Sequence, residues 1–141
     1  MEPLDLSKRP PRAPRAKLDG LMLLPRTIDK LRATLPGGIA GDYRIPGMSG
    51  RLLEWLGVDE DAIRTAVAQA DTDDDVARWL REHTDASAYP KFNDRIERRT
   101  VDDIPDKTRF NTMYPWWPES GLTKVIDIIE EDDRRMFGGR S

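Results

Sequence analysis

The chain has 141 residues, of which 38% are hydrophobic and 35% charged, with a net charge of −3 and no cysteine. That length allows one domain with a real core, and the missing thiols exclude disulfides, thiolate metal sites and cysteine nucleophiles. The mild acidity argues against nucleic acid as the main partner, and no apolar run nears the roughly 20 residues of a membrane span.

Residues 1 to 17 combine Pro3, Pro10, Pro11 and Pro14 with Lys8, Arg9, Arg12, Arg15 and Lys17. Proline denies this stretch a helix, and so few apolar side chains cannot offset the entropy of ordering it. The expectation is a disordered basic arm, followed by a helical domain over 18–137 and a frayed tail at 138–141. No apolar stretch follows the basic residues, so a secretory signal is not expected and a soluble, cytoplasmic protein is.

The first helix is expected from Pro25, which suits a first turn that needs no N–H there. Ile28, Leu31 and Leu35 recur at helical spacing to give one buried stripe, with Arg26, Asp29, Lys30 and Arg32 beside it. Pro36-Gly37-Gly38 ends it and opens a loop to Gly50, which Tyr43 and Ile45 pin to the body. Three short helices follow. Ser49 is expected to cap the first, which carries Leu52, Leu53, Trp55 and Leu56 and stops at Gly57. Asp59 caps the second, whose inner face is Ala62, Ile63, Ala66, Val67 and Ala70. Thr72 caps the third, where Asp73, Asp74 and Asp75 complement the helix dipole and Val76, Trp79, Leu80 and His83 form the stripe.

A fourth helix starts near Pro90 and turns Phe92 and Ile96 inward. Phe110, Met113 and Tyr114 suggest a short helical piece, while Tyr114-Pro115-Trp116-Trp117-Pro118 is irregular, its indoles serving as anchors or as a patch for a partner. The last helix is expected from Gly121 to Met136. No period-two run of four or more residues appears. The fold class is therefore all-α, a compact single-domain bundle of five to six short helices with a Gly/Pro-rich loop.

Several stretches also carry a resemblance. These are Leu24-Pro25-Arg26 with Asp29-Lys30 and Arg32-Ala33, the turn Gly41-Asp42-Tyr43, the helix end Leu52-Leu53-Glu54-Trp55-Leu56-Gly57, and the acid-capped helix with Trp79. In that order they resemble a bacterial family known as domain of unknown function 5069, over about residues 18 to 135. The sequence departs from the family pattern at Arg44 to Met48 and at Tyr114 to Pro118. The resemblance implies a small helical domain and brings no established reaction.

Arg26, Asp29 and Lys30 fall on neighbouring strips of one helix, and Tyr43 can return from the loop to meet them. Two cations, a carboxylate and a phenol suit an anionic ligand, a carboxylate or phosphate ester; the plainer reading is a solvated face whose Arg and Lys stems cover the core. His83, the single histidine, rules out a multi-histidine metal site; it suits a general base or a helix-end cation. Asp71, Asp73 and Asp75 mimic the start of a calcium loop, but Val76 stands where that loop needs glycine, so a helix cap explains them better. The expected ligand-binding residues are thus Arg26, Asp29, Lys30, Tyr43 and His83, with no metal and no cofactor. The expected function is a binding module for a small anion or a protein partner. The alternative is a small cofactor-independent enzyme using Asp29 or His83 as acid or base.

Overall fold

The computed structural model describes residues 1–45 and 47–138. Among them the chain forms a hairpin, β1 (Lys17–Leu18) and β2 (Leu21–Met22), and seven α-helices. The helices are α1 (Leu24–Ala33), α2 (Met48–Leu56), α3 (Glu60–Gln69), α4 (Asp73–His83), α5 (Tyr89–Arg98), α6 (Lys107–Met113) and α7 (Val125–Asp133). The protein is mostly helical, yet an all-α bundle of five to six helices needs two corrections, the hairpin and the additional helix.

The hairpin pairs Lys17 with Met22 and Leu18 with Leu21, antiparallel. Asp19 and Gly20 turn it, with φ of 54° and 77°, the consecutive left-handed residues that two-residue hairpin turns favour. Strands of two residues are too short to display alternation, so the Asp-Gly pair was the only local signal.

The chain divides into two compact units, Met1–Asn93 and Asp94–Ser141. In the first, α1 packs on α2, α3 and the hairpin. Leu24, Ile28 and Leu31 are almost wholly enclosed with Leu52 of α2, Ile63 of α3 and Leu80 of α4. Pro25 is the second residue of α1, and the helix is entered through Leu23, itself left-handed at φ 69°. Gly57 ends α2 at φ 70°, the Asp59 carboxylate accepts from the Ala62 N–H, and Thr72 with Asp75 forms a full capping box. Ser49 is not a cap. Gly47 enters α2 instead, and Ser49 is buried with its hydroxyl 3.0 Å from that of Thr27.

Residues 1–16 are the largest correction. In place of a disordered arm they pack into the first unit: Leu4 and Leu6 are buried, and so are Pro11 and Pro14. The Leu6 N–H donates to the Ile39 carbonyl at 2.8 Å, and the Ile39 N–H donates to that of Leu4 at 3.0 Å. Prolines that forbid a helix also leave little backbone entropy to lose, so a proline-rich strap needs few apolar anchors. Leu4, Leu6 and Ala33 make a small core on which Ala40 and Tyr43 pack.

The second unit is built on α7, which buries Val125, Ile126, Ile128 and Ile129 and continues as a π-helical turn from Arg134 to Gly138. It starts at Val125 rather than Gly121, because Gly121 is left-handed at φ 77°. Phe110 of α6 is buried, and Trp117 meets it edge-on at 5.6 Å. Beyond Gly138, the tail expected to fray lies outside the described residues.

Candidate functional site

Arg26 stands in the first turn of α1, where the stripe of Leu24, Ile28 and Leu31 faces the core and puts Arg26 against the segment returning from the glycine-rich loop. It is only 4% exposed. Its guanidinium lies 5.5 Å from the centre of the Tyr43 ring, and its Nη1 donates to the Arg12 carbonyl at 3.3 Å. The structure therefore brings Arg26 and Tyr43 together. Lys30 follows one helical turn later and is half-buried.

Asp29 is buried too, and its carboxylate belongs to the strap. The Arg12 N–H donates to Asp29 Oδ2 at 2.8 Å, Arg12 Nε reaches both oxygens at 3.1 and 3.2 Å, and Arg12 Nη2 reaches Oδ1 at 3.0 Å. The same guanidinium bridges to Asp73, the first residue of α4, at 2.7 and 3.1 Å, and donates to the Pro25 carbonyl at 3.3 Å. The hydrogen bond to Asp73 raises the Arg12 guanidinium further above its ordinary range; partial burial opposes this and Asp29 adds to it. Arg12 and Asp73 are the site residues that sequence reasoning missed. The partners are 17 and 61 residues away from Arg12, and nothing in a run of scattered cations marks one of them as paired.

His83 sits apart from this cluster. Asp73 and His83 are the two ends of α4, about 15 Å apart at 1.5 Å per residue. The imidazole is exposed, its ring stacked on Trp79 at 4.2 Å and its Nδ1 2.7 Å from the Trp79 carbonyl. Trp79 is half-buried rather than central to the core.

In the second unit the two indoles point their N–H groups inward. Trp117 Nε1 donates to the Leu122 carbonyl at 2.7 Å, and Trp116 Nε1 to Asp132 at 3.1 Å, while Arg135 lies 4.4 Å over the Trp116 ring. Those bonds describe anchors for an irregular segment.

A family model described as a domain of unknown function (DUF5069) matches residues 8–135. The chain belongs to that family. No curated protein matches it. The family match begins within the strap, so Arg12, Asp29 and Asp73 all fall inside the matched region. Among the described residues no helix is long and apolar enough to cross a membrane, and no three His, Cys, Asp or Glu side chains are grouped to hold a metal ion.

Proposed function

We propose that the protein is a binding module for a small anionic ligand, a carboxylate or phosphate ester, taken at the polar side of α1. The observation that carries this reading is Arg26: a guanidinium of 4% exposure, fixed between the face of Tyr43 and the Arg12 carbonyl. A fixed charge in a poorly hydrated setting attracts an opposite charge more strongly than one in water, and loses little freedom when it does so. In this reading Lys30 and Tyr43, both half-buried, line the approach of the ligand. The first turns of α1 and α2 meet at Thr27 and Ser49, and neither helix has a side-chain cap, which adds positive potential next to Arg26.

Binding is favoured over catalysis because the two proton carriers have other roles. Asp29 is the fixed counter-ion of Arg12, and His83 lies at the far end of α4 from Asp73, tied to its own helix. The test is thermal shift with phosphate, pyrophosphate and citrate against chloride of equal ionic strength. Saturation at about 100 times Kd should stabilise the protein by roughly 2.7 kcal/mol. Lys30→Ala should remove the shift, read against that variant's own unliganded melting temperature. If none of these anions exceeds the chloride control, the reading fails.

A further inference from the structure

We infer that the face shared by α1 and α4 is a recognition site for an arginine carried on a proline-flanked bend of a protein partner, and that the strap occupies it in cis. The inference does not rest on the anion reading above. Arg12 is held as a bound peptide residue is held, at three points. Its N–H donates to Asp29, its carbonyl accepts from Arg26, and its guanidinium forks between Asp29 and Asp73 with a further bond to the Pro25 carbonyl. Backbone donor, backbone acceptor and side-chain fork are together elements by which a peptide residue can be read in trans. Asp29 and Asp73 supply planar acceptors for a planar donor, which favours arginine over lysine.

The flanking residues define the shape that fits. Pro11 and Pro14 are buried on either side of Arg12, where the strap bends at Arg12 and then turns, the Ala16 N–H donating to the Ala13 carbonyl at 3.0 Å, so it presents one arginine between two apolar rings. Proline restricts the backbone of such a segment before it binds, which lowers the entropy cost of capture. The floor is built from helices, whereas the strap rests on it from outside: the Asp29 side chain is 7% exposed and that of Arg12 is 39% exposed. A competing guanidinium can therefore approach the acids from the solvent side. The partner's chemistry follows: a basic, proline-containing segment with arginine at its centre, of which Pro10-Pro11-Arg12-Ala13-Pro14-Arg15 is the example in the chain itself.

The experiment uses the full chain carrying Arg12→Ala as receptor and a fluorescent peptide of residues 8–15 as probe, read by anisotropy. The variant should bind the peptide, and the wild-type chain, whose site is filled, roughly tenfold or more weakly, a difference set by the charge-assisted bonds. A peptide with alanine for its central arginine should lose binding, and adding Asp73→Asn to the receptor should weaken it roughly tenfold. Circular dichroism verifies the fold; should Arg12→Ala prove unfolded, Arg12→Lys serves as receptor, since it keeps a cation but not the fork. A folded receptor that binds the peptide no better than wild type, or binds the arginine-free peptide equally, overturns the inference. So does a wild-type dimer, seen by sedimentation, that disappears in Arg12→Ala, because the site would then exchange straps between copies.

Discussion

Replacing Arg12 by alanine tests whether the strap is held by its ion pairs. The change deletes three bonds from the guanidinium to Asp29, two to Asp73 and one to the Pro25 carbonyl, while the backbone N–H to Asp29 remains. Stranding a fully buried charge costs about 3–5 kcal/mol. Here two features reduce that. The Arg12 side chain is 39% exposed, and Arg32 Nη1 stays 3.9 Å from Asp29 as a residual partner. The Asp73 side chain is 31% exposed, so its share belongs with surface pairs at roughly 0.2–1 kcal/mol. The sum is about 2–3 kcal/mol, or a melting temperature lower by roughly 5–12 °C. Calorimetry at neutral pH and moderate salt reads this directly, and Asp29→Asn closes a double-mutant cycle. The double variant should lose less than the two singles added together, by about 1–2 kcal/mol. A melting temperature for Arg12→Ala within about 1 °C of wild type, or strict additivity in the cycle, would refute the reasoning.

Other positions give shorter tests. Leu80 of α4 is fully enclosed, so Leu80→Ala should cost about 2–5 kcal/mol in urea unfolding, and Trp79→Ala less despite the larger side chain, because Trp79 is half-buried. An equal loss at Trp79 would place its indole in the core. At Gly38 an added Cβ would stand 2.5 Å from the Ala33 carbonyl oxygen and 2.8 Å from that of Arg32. These are backbone atoms that cannot swing aside, so Gly38→Ala should lower the melting temperature clearly and Gly57→Ala should act only through its left-handed φ of 70°. In acid, stability should fall below about pH 4, around the ordinary carboxylate range. Asp75 is held below its ordinary value by the N–H groups of Asp71 and Thr72, Asp103 by that of Thr100, and Glu131 by the Arg134 guanidinium. A carboxylate lowered in the folded state stabilises it above the unfolded value and loses that effect as pH drops through the folded one. Equilibrium unfolding from pH 7 to pH 2 measures it, and stability that rises toward acid would contradict the assignment.

Much of the helical fold was legible because local chemistry decides it. Asp59 and Thr72 cap where a short acceptor precedes an apolar periodicity, and Gly57 stops α2 where only a left-handed residue serves. Ile63, Val67, Val76, Leu80 and Ile96 all fall inside as their spacing requires. Ser49 shows the limit of such reasoning. A serine before an apolar run reads as a cap, but Gly47 can enter the helix first at φ 122°, and the hydroxyl then turns inward to Thr27. Local rules name the residues able to cap; the path of the preceding loop selects among them.

Around α1 the approach of Arg26 to Tyr43 was legible, and the pairing of Asp29 was not. Arg26 and Tyr43 do come together, because a loop that starts at the end of α1 has to fold back along it. Asp29 is paired with an arginine from the strap instead. The composition argument for a disordered arm counts apolar residues and charges as though each cation were solvated. It fails when one cation is neutralised by two fixed acids and when Pro11 and Pro14, counted as helix breakers, act as apolar contacts. The same substitution then distinguishes two accounts of residues 1–16. If the ion pairs hold the strap, Arg12→Ala should raise amide exchange at Leu4 and Leu6, whose N–H groups donate to Arg32 and Ile39, as well as around Arg12. If Leu4 and Leu6 hold it alone, exchange should rise only near Arg12, and the strap would be two independent contacts rather than one cooperative element.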